Sequence, residues 1–200
     1  MSDERIRELE ESVRASLLEI AALHADVAGT PVPDYRFRTL DGEPHLSSLF
    51  GDRDHMLVIH NMGQSCRYCR LWADGFNGLL PHLEANLAVV LASPDAPEAQ
   101  RRFATSRDWR FRMVSHAGSP YIREQDAGDS GEGWPGAVMY QRDGTRILRR
   151  AATVFGPADV YCALWPLLGM AGLGADDFTP QFRYWSRPET LIDGGADVRD

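Results

Sequence analysis

The sequence predicts an α/β fold in which a central mixed β-sheet is flanked by helices, with a helical extension before it and an aromatic tail after it. Three observations carry that expectation. Apolar strand-like runs alternate with amphipathic helical stretches between residues 55 and 115. Asp143-Gly144 is a turn signal between two further strand-like runs, which makes them an antiparallel hairpin. Cys66 and Cys69 fall where a strand hands over to a helix. The organisation expected is an N-terminal helical extension over 1–30, one domain over 31–175, and a C-terminal tail over 176–200 packed on the domain or on a partner subunit.

Taken in order, residues 3–28 place Ile6, Leu9, Val13, Leu17, Ile20, Leu23 and Val27 at three- and four-residue steps among charged neighbours, the pattern of an amphipathic helix ending near Gly29. Pro31 and Pro33 enforce an extended segment, and Tyr35, Phe37 and Thr39 alternate with polar residues before the turn Asp41-Gly42, as in a strand or hairpin. Leu46 to Phe50 reads as a short helical turn. The run Met56-Leu57-Val58-Ile59, within 55–62, suits a central strand buried on both faces. Leu71, Trp72, Phe76, Leu79, Leu80 and Leu83 then share one side of the helix that follows the cysteines. A second strand over 87–92, a helix over 93–107 capped by Ser93 or Asp95, and a strand over 111–115 complete a β-α-β-α-β order. Residues 117–135 read as a loop holding a helical turn near 120–125; strands follow over 137–141 and 146–152, and Pro157 opens a last helix over 158–168.

With 200 residues, 44% hydrophobic and 25% charged, the chain is long enough for one sizeable core. A net charge of -8 gives no bulk attraction to nucleic acid or to an anionic membrane surface. Arg101, Arg102, Arg107, Arg110 and Arg112 offer an anion-binding face, but charge scattered over an amphipathic helix and the next edge is the preferred reading. The opening residues MSDERIRELEES have no apolar stretch of the secretory kind, so the cytoplasm is the compartment expected. The longest uncharged stretch, 160–175, is shorter than the roughly 20 residues a bilayer requires.

The chemistry lies in Cys66-Arg67-Tyr68-Cys69. Thiols three residues apart at a helix start can close and open a disulfide. The unpaired N–H groups and positive dipole end of the helix stabilise a thiolate at Cys66, and Arg67 and Arg70 add positive charge. Cys66 is then the nucleophile, and Cys69, one turn inside, the resolving thiol. A zinc site would have to recruit histidines such as His60, His82 or His116, and a pair with no redox role is the other alternative. Cys162 reads as a small buried apolar residue within the last helix. Gly75 and Gly78 inside the cysteine-bearing helix suggest close approach of the backbone to the sheet or to a partner, or simply a loosened helix. Phe178, Phe182, Tyr184 and Trp185 in the tail call for packing rather than exposure.

Ser65-Cys66-Arg67-Tyr68-Cys69, followed by Trp72-Ala73-Asp74-Gly75-Phe76-Asn77-Gly78, resembles a family of bacterial thioredoxin-like proteins defined by sequence and mostly uncharacterised. The resemblance runs from Tyr35 through the hairpin at Asp143-Gly144 and implies a thioredoxin-like fold. The leading residues Pro33-Asp34-Tyr35-Arg36-Phe37, Leu40-Asp41-Gly42 and Leu46-Ser47-Ser48-Leu49 are also similar to the start of peroxiredoxins and alkyl hydroperoxide reductases. Those enzymes carry a proline and a threonine or serine shortly before their cysteine; Ile59 and Gly63 stand here instead, which removes the signature of a peroxidase of that type. By the same fold analogy, Trp134-Pro135 occupies the place where thiol oxidoreductases set a cis proline beside the cysteines. The function implied is a thiol-disulfide oxidoreductase using Cys66 and Cys69, with Trp134, Pro135, Arg67 and Tyr68 forming the substrate surface and with neither cofactor nor metal. Its expected partner is a disulfide-bearing protein or a small thiol, and a homodimer is a further arrangement to consider. The alternatives are a non-catalytic binding or assembly module and a copper or zinc transfer protein.

Overall fold

The computed structural model describes residues 2–128, 130–182 and 184. In chain order the elements are α1 (Ser2–Asp26), β1 (Thr30–Val32), α2 (Leu46–Leu49), β2 (His55–His60), α3 (Arg67–Glu84), β3 (Ala88–Ser93), α4 (Pro97–Ser106), β4 (Arg112–Ser115), α5 (Tyr121–Gln125), β5 (Gly136–Asp143), β6 (Arg146–Val154) and α6 (Leu164–Met170), followed by a 3-10 turn at Ala175–Asp177. The strands form one sheet in the order β1-β6-β5-β2-β3-β4. β2, β3 and β4 run parallel, as crossover helices require, while β5 is antiparallel to both β2 and β6. A parallel β-α-β unit joined edge to edge with an antiparallel hairpin is the thioredoxin-like fold, and β2 is its centre.

The two-residue period of β2 divides the interior into two halves. Met56 and Val58 face one half with Tyr35, Phe37, Tyr121 and Tyr140. Ile59 faces the other with Trp72, Phe76, Phe155 and Trp165, and Leu57 packs at its margin. Each large side chain buried in this way contributes roughly 1.5–3 kcal/mol, so α3 is held to the sheet chiefly by Trp72, Phe76 and Leu80. α1 buries no residue; its C-terminal end is tied to the sheet by Arg150, whose Nη2 donates to the carbonyls of His24 (3.3 Å) and Ala25 (3.2 Å). No helix among the described residues is long and apolar enough to cross a membrane.

Several local expectations need correction. Tyr35 to Thr39 is no regular strand; of the two expectations the hairpin holds in outline, with antiparallel bridges Arg36–His45 and Thr39–Gly42 around the Asp41-Gly42 turn, and Tyr35 and Phe37 are buried as their alternation suggests. Neither Ser93 nor Asp95 caps α4, because Pro97 sets the first helical position after Ala96 and both side chains are engaged elsewhere. Pro157 begins a turn rather than a helix: Asp159 accepts the N–H groups of Gly156, Tyr161 and Cys162, Ala158 takes a φ of 70°, and α6 starts only at Leu164. Cys162 therefore precedes that helix, buried as expected. A Cβ built on Gly75 or Gly78 would meet nothing within 4 Å, so close approach to the sheet is not their reason. Phe178 packs against Trp165 at 6.1 Å between ring centroids, while Trp185 lies outside the described residues.

Candidate functional site

The site is built where β2 ends. Asn61 extends the strand by one hydrogen bond to the carbonyl of Ala92 (2.9 Å), and its side-chain oxygen then accepts the N–H of Gly63 (2.8 Å). Gly63 turns the chain with a φ of 97°, a conformation glycine adopts without the Cβ clash other residues suffer. The carboxylate of Asp95, beyond the end of β3, accepts the N–H of Gln64 (2.9 Å) and lies 3.0 Å from where a Cβ on Gly63 would be, tighter than an ordinary contact. The cysteine loop is thus pinned from two neighbouring strands.

Cys66 is the N-cap of α3, in extended backbone, and its sulfur accepts the N–H of Cys69 at 3.1 Å. A sulfur here takes the place that a serine or aspartate oxygen holds in an ordinary cap. The two cysteines are joined in a disulfide with their Cα atoms 5.3 Å apart. Cys66 is half-buried whereas Cys69 is 3% exposed, so an incoming group reaches the first sulfur before the second. Around Cys69, Met62 donates its N–H to the sulfur (3.4 Å) and the Asn61 amide donates to the carbonyl (3.4 Å). Once the disulfide opens, the N–H of Cys69 and the free end of α3 remain aimed at Cys66, which favours its thiolate.

The surrounding cations are organised by aromatic rings. Arg67 lies over the ring of Phe182 (5.4 Å), and Arg70 lies over both Phe182 (4.2 Å) and Phe103 (4.6 Å). The carbonyl of Phe182 accepts from Arg70 and from Arg107, each at 3.2 Å, and Arg70 also donates to the carbonyl of Gln64. Arg107 is held in turn by both oxygens of Asp74, which also accepts the indole N–H of Trp109 at 2.8 Å. Asn77, one helical turn on, bonds the backbone of Asp108 and Arg110. The arginine cluster is divided: Arg107 is paired with Asp74, Arg102 is exposed, and Arg101, Arg110 and Arg112 line one cavity beside Thr39 and Trp109, with Arg112 also donating to the carbonyl of Leu49.

Tyr68 stacks between Trp72 (6.2 Å) and Trp165 (6.5 Å) in the first turn of α3, which brings Arg67 and Tyr68 together with the cysteines. Pro135 is buried, and the antiparallel register that pairs His60 with Gly136 sets Pro135 opposite Asn61, at the mouth of the cysteine loop. The described residues contain no cis peptide bond, so Trp134-Pro135 is trans, unlike the fold analogy. The Pro135 carbonyl accepts from Phe155 (2.8 Å), extending the β5–β6 ladder by one step. Trp134 is 49% exposed and donates to Glu132 in its own loop. Of the histidines considered as zinc ligands, His60 and His116 are buried and His82 is exposed; no group of three or more His, Cys, Asp and Glu side chains among the described residues is placed to hold a metal ion.

On the opposite face of β2 lies a polar network that the linear sequence does not announce. His60, 2% exposed, shares a 2.8 Å hydrogen bond through Nε2 with the Tyr121 hydroxyl. Tyr140 lies 3.2 Å from Tyr121 and 3.1 Å from the Gln125 side-chain oxygen, and Gln125 donates to Tyr35 (3.1 Å), which donates to Glu124 (2.9 Å). Burial holds the His60 imidazole down to about 3, reinforced by His116 and Arg149 and opposed by Asp126. Burial and the bond to Glu124 push Tyr35 up to about 12, and burial raises Tyr121 and Tyr140 as well. Asp126 is shifted the other way: burial would raise it, but hydrogen bonds from Ser130 and from the backbone of Gly128 and Gly133 outweigh that and leave it lowered. Burial also raises the Cys162 thiol, which disfavours its thiolate.

A family model described as a bacterial protein of unknown function (DUF899) matches residues 20–190. No curated protein matches the chain. Among solved structures, a peroxiredoxin-like protein from Aquifex aeolicus is 19% identical, with 63% of this chain and 74% of that one aligned at a TM-score of 0.49. The bacterioferritin comigratory protein of Xanthomonas campestris is 17% identical over 63% and 88% (TM-score 0.48). The mitochondrial 2-cys peroxiredoxin of Plasmodium falciparum is 13% identical over 73% and 89% (TM-score 0.47).

Proposed function

This chain belongs to that bacterial family, and from that premise we propose that it is a thiol-disulfide oxidoreductase working through Cys66 and Cys69. The observation that carries this reading is the asymmetry of the pair: a half-buried sulfur at the helix N-cap, and a buried one bonded to it from the first turn. In the reduced protein the Cys66 thiolate attacks one sulfur of a substrate disulfide and expels the other as a thiolate, leaving a mixed disulfide. Cys69 loses its proton to solvent and attacks the Cys66 sulfur, forming the intramolecular disulfide and expelling the second substrate thiolate. Two electrons pass from the dithiol to the substrate, and a dithiol reductant or glutathione returns them. Arg67, Tyr68, Trp134 and Pro135 form the surface that meets a disulfide-bearing protein or a small thiol. Ile59 and Gly63, in place of the proline and hydroxyl residue of peroxidases, favour disulfide over peroxide as substrate. The expected compartment is the cytoplasm, where such a pair is kept turning over.

The test is equilibration in a series of glutathione or dithiothreitol buffers, followed by alkylation and mass spectrometry. A Cys66–Cys69 disulfide that opens and closes with a midpoint between about -270 and -120 mV supports the proposal. Cysteines that stay reduced throughout, or that pair only with other molecules, overturn it and leave a non-catalytic binding module.

A further inference from the structure

The outer face of α1 has no role in the domain. Ile6, Leu9, Val13, Ile20, Leu23 and Val27 are between 42% and 60% exposed, on a helix that buries nothing. Their spacing is that of a heptad. With Ile6 at a, the a positions are Ile6, Val13, Ile20 and Val27, all β-branched, and the d positions are Leu9, Ser16 and Leu23. β-branched residues at a with leucine at d select two parallel strands. The side of α1 that faces its own domain is a different one: Ala21, His24 and Ala25, at b, e and f, line a groove with Leu57, Leu79 and Met139. The a/d seam therefore points away from the body.

We propose that the protein is a homodimer held by a parallel coiled coil between α1 and the α1 of a second copy. A second copy is the occupant the pattern fits, because parallel pairing stacks like on like at every layer: isoleucine or valine on itself at a, leucine on itself at d. The flanking charges agree. Arg5, at g, comes opposite the partner's Glu10 at e, and Glu19 comes opposite the partner's His24; Ser12 meets the partner's Leu17, so no g–e pair carries like charges. In one chain Arg5 pairs with Glu8 (2.9 Å), and the dimer sets it between Glu8 and the partner's Glu10. Residues 6 to 27 give a seam of about 33 Å, in which Ser16 is the polar member.

Sedimentation equilibrium of the full chain tests this, with three samples. Wild type is expected at twice the 22.3 kDa monomer mass across the micromolar range. Val13→Glu with Ile20→Glu is expected at the monomer mass with near-UV circular dichroism and core melting retained, since neither residue is buried in the monomer. Ser16→Cys is expected to form an interchain disulfide in glutathione buffer under which wild type stays uncrosslinked, because parallel strands bring d onto d. A monomeric wild type, a trimer or tetramer, a dimer that survives the double substitution, or a dimer in which Ser16→Cys does not crosslink each overturns the proposal.

Discussion

His60 ties stability to pH in a way that can be isolated. In the folded chain its pKa is held to about 3, against 6.5 for an unperturbed histidine, so between those values the unfolded chain binds the proton that the native state refuses. The sign follows: the contribution is fully present above pH 6.5 and is lost as pH falls toward 3. Well below pH 6.5 each pH unit costs about 1.4 kcal/mol and at pH 6.5 itself half that, so the loss from pH 6.5 to 4.5 is roughly 2 kcal/mol from this one group. His60→Gln keeps a polar atom for Tyr121 but does not titrate. Urea unfolding of both proteins, disulfide intact, at pH 7.5, 6.5, 5.5 and 4.5 gives two curves of stability against pH. The variant starts lower, because it disturbs the bond to Tyr121, but declines less steeply by about the amount above. Parallel curves would refute the assignment, since the other acid-sensitive groups, His116 and Asp126, remain in both proteins.

Three further outcomes are expected. Cys69→Ser should accumulate a mixed disulfide at Cys66 when offered oxidised glutathione, read by intact mass and released by dithiothreitol, whereas Cys66→Ser should not. Asp74→Ala removes the partner of Arg107 and of the Trp109 indole and should cost about 1–2 kcal/mol, a fall of several degrees in Tm, with Asp74→Asn milder because it can still accept from Trp109. Gly63→Ala should destabilise by about 1–2 kcal/mol, since its φ is positive and the Asp95 carboxylate would crowd a Cβ, whereas Gly75→Ala should stabilise by about 0.5–1 kcal/mol because nothing stands in its way; denaturant midpoints for the two variants should move in opposite directions.

Much of the fold is legible in the sequence where one signal dominates. The apolar run ahead of the cysteines is β2, the stripe carrying Trp72, Phe76 and Leu80 is the buried face of α3, and Asp143-Gly144 is the hairpin turn. Errors arise where two signals compete. Pro157 suits a helix start and a turn equally, and the side chain of Asp159, which captures three backbone N–H groups, decides for the turn. Ser93 and Asp95 look like caps until Gln100, from inside α4, donates to the first and Gln64, beyond the end of β2, donates to the second. In the candidate site, Cys66 and Cys69 carry their meaning in their spacing. The residues that hold them do not: Asp95 is distant in sequence, and nothing near Asp74 in the chain announces Arg107 and Trp109, which close on it in the fold. The network from His60 to Glu124 is assembled from four separate segments, and no window of sequence contains it.

The ring closed by Cys66 and Cys69 spans a single helical turn. A link over so few residues removes little freedom from the unfolded chain, about 2 kcal/mol on the loop-entropy scale against about 5 for a hundred-residue loop. It is therefore a poor staple, and the stability of the fold rests on the sheet and its two half-cores rather than on the redox state of the pair.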